Sequence, residues 1–335
     1  MSFAGNAWGN AWGSAAFRHI GLLHDTAAGY ASGCAGFVRL GLNAGNPVLV
    51  AVPGSHARAI HDELGGDAGH VVFTDMAVAG RNPGRVIVSL LDFADSHPDQ
   101  RVWVVSQSVW PTRSSLEYSA CVTQDALLNT AFAGRDATIL CPYDRSALPA
   151  GAIADALRTH PILNDGTNTW DSPDYTDPLG TARLADLPLP EPPQQAHRFT
   201  ITRPEDLRWL RRAIADLAAA ASLPIARVRQ LTVAVNELAS NSIEHGGGRA
   251  VVAIWTEPGV FVCQLDDAGT FDNPMAGWMP PPREGSRGRG LLIVHELSDL
   301  VRIHQRSDGT SIRVHINISA VVKEPETYGI EFQAG

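Results

Sequence analysis

One stretch of the chain places a carboxylate, a carboxamide and an imidazole at helical spacing. In NELASNSIEH, Glu237, Asn241 and His245 stand at i, i+4 and i+8, so a helix presents all three on nearly the same side. A carboxylate and a carboxamide one turn apart are oxygen ligands for Mg²⁺ and its waters, and the carboxylate can also take a proton from an attacking hydroxyl. The spacing predicts a metal-assisted reaction, although a solvated polar helix face shows the same pattern.

A second polar group follows a strand pattern in LDDAGTFDNP. Asp267 supplies a carboxylate acceptor at the edge of a sheet, and Gly269 allows a flat ligand to approach the backbone closely. This pair suits the amino group of an adenine. Taken alone, it is more typical of a polar turn after a strand.

A loop with many Pro and Gly residues, Met275–Arg289, leads into a further helix pattern. Its end, Gly288-Arg289-Gly290, leaves free backbone N–H groups at a helix N-terminus, where the helix dipole favours phosphates. The guanidinium groups of Arg287 and Arg289 add positive charge there. We therefore expect a phosphate-binding loop.

The sequence around these residues predicts the helices and strands that position them. Helices with an apolar stripe alternate with strands joined by hairpin signals, which predicts an α/β sandwich with helices on one face of a mostly antiparallel sheet. Thr310 opens the last strand, where its hydroxyl can reach the same pocket. The predicted elements are strand His197–Thr202, a helix after Pro204, helix Ile225–His245, strands Ala250–Thr256 and Val260–Asp266, helix Leu291–Leu300, and strands Val301–Arg306 and Thr310–Ile318.

The N-terminal half has a different pattern, in which short apolar runs alternate with longer stretches that suit helices. This is typical of an α/β domain built on a mainly parallel sheet. The predicted strands are Val48–Val52, Val71–Phe73, Val102–Ser106 and Thr138–Cys141, and the predicted helices are Thr26–Leu42 and Leu116–Phe132.

Composition shifts divide the chain into five parts. NAWG occurs twice near the N-terminus in a stretch rich in Gly, Asn and Ala, and LPLPEPPQQ is rich in Pro without periodicity. The predicted parts are a flexible tail (1–17), a first domain (18–180), a Pro-rich linker (181–195), a second domain (196–320) and a C-terminal tail (321–335).

Composition also excludes several classes of function. A formal net charge of −9 disfavours direct nucleic-acid binding, and Lys323 is the only lysine, which excludes a P-loop whose lysine contacts phosphates. The chain has no apolar run of transmembrane length and no secretory signal, so we expect a cytoplasmic protein without a membrane anchor. The four cysteines lie far apart without a CxxC pair or a histidine at metal-ligand spacing, which favours buried, reduced thiols.

The four polar segments of the second domain, in this order, resemble the motifs of the GHKL (Bergerat) ATPase superfamily. The NELxxNxIxH spelling and the segment GRGLLIVHELSDLVRI are similar to the branch of serine/threonine kinases that act as anti-sigma factors. The sequence departs from the family pattern at Thr270-Phe271, where a second glycine is usual.

This resemblance implies ATP and Mg²⁺ as cofactors and assigns roles to residues. Glu237 would be the general base, Asn241 the Mg²⁺ ligand and Asp267 the partner of adenine. The nucleotide-binding set it implies is Asn241, His245, Asp267, Gly269, Arg287, Gly288, Arg289, Gly290 and Thr310.

The first domain resembles the MEDS sensory family over about residues 18–175. The resemblance lies in HIGLLHD, GNPVLVAV, GRNPGRV, SVWPTRS, DALLNTAF and LCPYD followed by HPIL. It implies a small organic ligand, with His24 standing where an aromatic residue is common. The pocket candidates are His19, Trp110, Arg113, Glu117 and Tyr143, which are equally compatible with core and turn positions.

These resemblances together imply a signalling protein in which a sensory domain controls an ATP-dependent serine/threonine kinase. Its partners would be a sigma factor, an anti-sigma-factor antagonist, or both, and a homodimer remains open. Two alternatives stand beside it: a non-catalytic module that binds nucleotide to sequester a partner, and a sensor whose second domain is vestigial. Glu237 and Asn241 favour the kinase, whereas Thr270-Phe271 favours the alternatives.

Overall fold

The computed structural model of the chain describes residues 16–271, 273–281 and 288–318. It forms two compact units, which divide between Ala185 and Asp186, and the short segment Asn82–Arg85 belongs to the second unit. Most of the predicted N-terminal tail and the whole predicted C-terminal tail, 321–335, lie outside the described residues. Every helix in the described ranges is too short or too polar to span a bilayer.

The first unit contains a seven-stranded sheet. Its strands are β1 (Phe17–His24), β2 (Val48–Val52), β3 (Val72–Asp75), β4 (Val102–Ser106), β5 (Ala137–Asp144), β6 (Ile162–Asn164) and β7 (Thr169–Asp171). The strand order is β3-β2-β4-β5-β1-β6-β7, and all neighbours are parallel except β6 and β7. The mainly parallel sheet expected from the sequence is confirmed.

Six α-helices accompany this sheet. They are α1 (Ala27–Asn43), α2 (Gly54–Leu64), α3 (Val86–Asp95), α4 (Ser115–Ala131), α5 (Ala150–Thr159) and α6 (Pro178–Leu184). Side chains cap the start of three of them. The Thr26 hydroxyl accepts a hydrogen bond from the backbone N of Gly29, Ser114 and Glu117 form a capping box, and the Asp177 carboxylate accepts from the backbone N of Gly180. All residues of β2 and β4 are buried, as expected for parallel strands covered on both faces.

The second unit is an α/β sandwich, as expected from the sequence. Its elements are β8 (His197–Ile201), α7 (Asp206–Ala220), α8 (Ile225–His245), β9 (Ala250–Glu257), β10 (Val260–Asp267), α9 (Gly290–Leu297), β11 (Leu300–Arg306) and β12 (Gly309–Asn317). The sheet is antiparallel throughout, in the order β11-β12-β10-β9-β8. The three helices share one apolar core with alternate strand residues such as Val252 and Ile254.

The helix predicted as Leu291–Leu300 is shorter than expected. It ends at Leu297, because Ser298 is extended and Leu300 already pairs with His315 in the sheet. The carboxylate of Asp299 is buried, pairs with Arg227 of α8, and accepts a hydrogen bond from the backbone N of Asn317. These contacts hold Asp299 next to the sheet, so the helix does not continue beyond Leu297.

The segment Asp186–Ala196 crosses the face of this sheet that the helices leave open, and we call it the strap. The predicted linker 181–195 thus has two parts: its first residues belong to α6, which ends at Leu184, and its remainder packs on the second unit. At the end of the strap, Ala196 packs with Trp255 and Val262. The polar contacts of the strap follow the strands from β11 to β8: Asp186 accepts from Gln305 N (2.9 Å), the Pro190 carbonyl accepts from Arg313, and the Pro192 carbonyl accepts from Arg198 (3.0 Å).

Candidate functional site

Glu237 and Asn241 of α8 face the first residue of α9. Both side chains are half-buried. A Cβ atom added at Gly290 would lie 3.0 Å from Asn241 Nδ2 and 3.2 Å from Glu237 Oε2, so glycine allows the helix start to approach these two groups. Within the described ranges neither side chain has a hydrogen bond or ion pair, which leaves a carboxylate and an amide oxygen available to a ligand beside helix N–H groups.

His245, the third residue of the predicted helix face, is not drawn into this pair. Its imidazole is largely exposed at the C-terminal end of α8, with Nε2 3.8 Å from Glu244 Oε2. Its backbone carbonyl, however, lies against Gly269. His245 therefore contributes its backbone, and not its imidazole, to the edge of the site.

Asp267 ends β10 and is held in a fixed orientation. Its Oδ2 accepts a hydrogen bond from the Ser242 hydroxyl of α8, and its Oδ1 accepts one from the backbone N of Gly269 at 2.9 Å. These two donors each use one lone pair of a carboxylate that offers about four acceptor positions, so the group can still accept from a ligand.

The backbone around Asp267 is packed closely. A Cβ at Gly246 would lie 2.6 Å from the carboxyl carbon of Asp267, and one at Gly269 would lie 2.9 Å from Gly246 Cα. Thr310 opens β12 opposite Asp267 and donates its hydroxyl to the Gly269 carbonyl at 2.6 Å. Asp267, Gly269 and Thr310, predicted from separate motifs, thus meet at one place.

Sequence reasoning missed Ser242 and Gly246 in this group. The only available signal was position: Ser242 follows Asn241 in the same motif, and its face of α8 turns towards the sheet. It is buried, and its hydroxyl oxygen, which donates its one proton to Asp267, also lies 3.1 Å from the Leu238 carbonyl oxygen. Its role depends on tertiary packing, which the spacing of polar residues does not reveal.

The predicted phosphate-binding end has exposed, glycine-flanked backbone before α9. Gly288 adopts a φ of 94°, a conformation that strongly favours glycine, and Arg289 is exposed at the helix N-cap. Arg287 lies outside the described residues. The sequence departs from the family pattern at Thr270-Phe271, where a second glycine is usual. There Thr270 is exposed, whereas Phe271 packs against the apolar core.

The five pocket candidates of the first unit fall into two groups. Near the start of α4, the Arg113 guanidinium lies 4.3 Å from the centre of the Trp110 ring and donates to the Gly80 carbonyl at 2.9 Å. Glu117 takes part in the capping box of α4. The other two candidates, His19 and Tyr143, are buried, and their rings both contact the ring of His160.

A buried carboxylate lies beside Tyr143. The phenol of Tyr143 donates to Asp125, and burial raises the pKa of Asp125 to about 7 against the opposing effect of its hydrogen bonds. Burial and the neighbouring carboxylate raise the pKa of Tyr143 well above its ordinary value. Burial therefore shifts both groups towards their neutral forms.

Models of two known protein families match the chain on either side of the strap. The model described as MEDS, the methanogen/methylotroph and DcmR sensory domain, matches residues 18–161. The model described as the histidine kinase-like ATPase domain matches residues 201–316. The chain joins a MEDS domain to a histidine kinase-like ATPase domain. These matches confirm the MEDS resemblance of the first domain and the ATPase-superfamily resemblance of the second, and the polar site lies in the ATPase domain.

A comparison with solved structures adds one named neighbour. The chain is similar to the crystal structure of the RsbU and RsbW domains of Rv1364c from Mycobacterium tuberculosis, with 18% sequence identity and a TM-score of 0.29. The match covers 38% of this chain and spans only a third (33%) of that chain. A comparison with curated proteins found no match.

The residues of the ATPase domain fit the ATP, usually with Mg²⁺, that a domain of this type implies. Glu237 and Asn241 provide oxygen donors without protein partners in the described ranges, which is the chemistry that Mg²⁺ requires. Asp267 is oriented by two donors yet keeps acceptor capacity for an amino group. The N-terminus of α9 offers N–H groups for anionic oxygens.

Proposed function

We propose that this protein is an ATP-dependent serine/threonine protein kinase of the anti-sigma-factor type, whose MEDS domain senses a small organic molecule. The observation that carries the proposal is the approach of Gly290, at the start of α9, to Glu237 and Asn241. A base, a metal ligand and a phosphate-binding helix end are thereby adjacent. Phosphoryl transfer needs mainly positioning and charge neutralisation, so a small set of side chains suffices.

The roles of the residues follow from their chemistry. Bound ATP with Mg²⁺ would supply the transferable phosphoryl group and the ion that neutralises its charge. Asp267 would accept a hydrogen bond from the adenine amino group, Asn241 would hold the metal ion, and α9 with Arg289 would bind the phosphates. Glu237 would take the proton from the hydroxyl of a serine or threonine of the substrate protein.

The substrate is proposed to be a protein antagonist of the anti-sigma factor, and the ATPase domain is proposed to bind a sigma factor as well. The support is the resemblance of NELASNSIEH and GRGLLIVHELSDLVRI to that kinase branch. These partners, like a homodimer, belong to the proposal. A cytoplasmic location and domain limits of 18–180 and 196–320 are likewise proposed from the sequence, except that the strap is better counted with the ATPase domain.

A second candidate function is a non-catalytic module that binds nucleotide and sequesters a partner. The observation that favours it is Thr270-Phe271, because Phe271 occupies the core side of a loop where the family pattern has glycine. Under this alternative, nucleotide would change the shape of the domain without phosphoryl transfer.

Nucleotide affinity with and without Mg²⁺ tests the site, using the wild type and Asn241→Ala. If Asn241 holds the ion, Mg²⁺ should strengthen binding of ATP to the wild type much more than to the variant. Asn236→Ala is a matched control, since that asparagine lies on α8 and its side chain accepts from Arg211 instead. Equal Mg²⁺ dependence in all three proteins would remove Asn241 from the metal site.

Transfer itself is tested by incubating the protein with labelled ATP and candidate antagonists. Label on a serine or threonine of one antagonist supports the kinase. If the wild type transfers no phosphate to any candidate, yet binds a sigma factor equally well as Glu237→Gln and Asn241→Ala, the sequestration function replaces it.

A further inference from the structure

Three metal-ligating side chains meet inside the MEDS domain. They are His19 of β1, Cys141 of β5 and His160 at the C-terminal end of α5. One ligand atom from each lies within 4.8 Å of the other two, and His19 Nε2 is 3.3 Å from Cys141 Sγ. All three residues are at most 2% exposed. We call them the His-Cys-His cluster.

The fold brings the cluster together from distant parts of the chain. Strands β1 and β5 are parallel neighbours, with Gly21 opposite Cys141 in the register. His19, two residues before Gly21, therefore points to the same face of the sheet as Cys141. A Cβ added at Gly21 would lie 3.3 Å from His160 Cγ, so the glycine provides the space in which the His160 ring approaches.

Hydrogen bonds outside the cluster orient the His160 ring. Its Nδ1 lies 2.8 Å from the Ala156 carbonyl, which can only accept, so Nδ1 carries the proton and donates it. The neutral ring then has its lone pair on Nε2. That atom is fully buried, and no group in the described part of the chain hydrogen-bonds to it.

His19 is oriented in the same way by Asn129. The Asn129 amide nitrogen donates to the carbonyl of Thr159 at 2.8 Å, which leaves its Oδ1 as an acceptor 3.3 Å from His19 Nδ1. His19 Nδ1 is therefore the donor, and the lone pair on Nε2 faces the Cys141 sulfur. Such outer hydrogen bonds to the second ring nitrogen are typical of metal-bound histidines.

A purely structural role leaves part of this arrangement unexplained. The thiol of Cys141 can donate to one imidazole, that of His19. The Nε2 atom of His160 is then a buried acceptor for which residues 16–271, 273–281 and 288–318 supply no donor. A buried polar atom without a partner destabilises the folded state.

We propose that His19, Cys141 and His160 bind one Zn²⁺ or Cu⁺ ion through two imidazole Nε2 atoms and one thiolate. Two nitrogens and one sulfur select a borderline or soft cation and disfavour Mg²⁺ or Ca²⁺, which prefer oxygen. Metal bonds of about 2.0–2.3 Å place donor atoms roughly 3.3–3.8 Å apart, so side-chain movements of about 1 Å complete the site. On binding, the Cys141 thiol releases its proton to solvent and the sulfur bonds to the metal.

The first experiment uses the full-length, tag-free protein, stripped with a chelator and then given Zn²⁺, Cu⁺ or Co²⁺ with the excess ion removed. We expect one tightly held ion per chain with Zn²⁺ or Cu⁺. Bound Co²⁺, a spectroscopic substitute for Zn²⁺, should show a thiolate-to-cobalt charge-transfer band. If the wild type retains neither Zn²⁺ nor Cu⁺, or binds Co²⁺ without that band, the proposal is wrong, and no variant is needed to reach that result.

Variants then assign the ligands. Cys141→Ser and His160→Ala should abolish tight binding, and Asn129→Ala should weaken it by about 10–100-fold, the usual effect of losing an outer hydrogen bond. Cys34→Ser is the matched control, because Cys34 is also a fully buried, free cysteine of the same domain. Binding that survives Cys141→Ser, or that is lost in Cys34→Ser, would overturn the assignment.

Discussion

The polar site of the ATPase domain and the His-Cys-His cluster of the MEDS domain differ most in their access to water. Glu237, Asn241 and Asp267 are half-buried around glycines, whereas His19 and His160 are 0% exposed. An open site suits a ligand that enters, reacts and leaves. A sealed site suits a ligand that stays, since fixed donors without water cannot easily release it. The two sites therefore differ in the depth at which the fold places them as well as in the chemistry of their side chains.

The strongest test of the open site is removal of its base. Glu237→Gln keeps the shape of the side chain and one oxygen but has no basicity. We expect phosphorylation of the partner to fall by about 10²–10⁴-fold while the affinity for MgATP changes little. The measurement is the rate of label transfer alongside the dissociation constant of ATP. A Gln variant as active as the wild type would mean that Glu237 is not the base.

Loss of the adenine acceptor should have the next largest effect. Asp267→Ala should weaken ATP binding by about 2 kcal/mol, or roughly 30-fold, because it removes a charged acceptor. Asp266→Ala is a useful control: the neighbouring carboxylate contacts Arg306 and Ser311 rather than Ser242. Equal affinities for the wild type and Asp267→Ala, measured by calorimetry, would exclude Asp267 from the site.

Truncation tests which part of the chain completes the ATPase domain. A fragment beginning at Asp186 keeps the strap, whereas one beginning at Ala196 loses the strap's hydrogen bonds to Arg313 and Arg198. We expect the shorter fragment to be less stable by about 2 kcal/mol. Urea unfolding of both fragments measures the difference. Identical midpoints would show that the strap adds nothing to stability.

A buried histidine of the ATPase domain extends the comparison between accessible and buried groups. It is closed off from water although the nucleotide site of the same domain is accessible. Burial lowers the pKa of His295 from its ordinary 6.5 to about 4. Between these pH values the unfolded chain binds more protons than the folded one, so stability decreases as the pH falls through this window. From pH 7 to 5 this residue should account for a loss of about 1–2 kcal/mol.

The measurement is urea unfolding of the wild type and His295→Gln at both pH values. The variant should lose less stability on acidification, even if it is less stable at pH 7. His97→Gln serves as the control, because that ring is not fully buried. Parallel pH dependence in the wild type and His295→Gln would mean that His295 does not titrate in this range.

Much of the fold could be predicted because the apolar patterns are local. Val48–Val52 and Val102–Ser106 are short, wholly buried runs, and their predicted bounds match the structure, as do those of helix Ile225–His245. Strand β1 was missed, since HIGLLHD lies beside a stretch that looked like a tail. The predicted end of helix α9 was wrong because of a tertiary contact: Leu300 pairs with His315 in the sheet, although the apolar pattern there suits a helix.

The ATPase site could be predicted from the sequence and the His-Cys-His cluster could not, because only the first has its residues close together in the chain. Glu237 and Asn241 share one helix, so their spacing alone indicated that they act together. His19 and Cys141 are 122 residues apart, and only the strand order of the sheet makes β1 and β5 neighbours. The absence of histidines near cysteines in sequence therefore says little about metal ligands in a parallel sheet.

The prolines of the strap restrict the unfolded chain as well as the folded one. Its prolines include Pro188, Pro190, Pro192 and Pro193, whose rings already restrict the backbone in the unfolded chain. Less conformational entropy is therefore lost when the strap settles on the sheet. Replacing Pro188 by alanine would leave every carbonyl acceptor in place, yet it should destabilise the domain by about 0.4–1 kcal/mol solely by giving the unfolded chain more freedom.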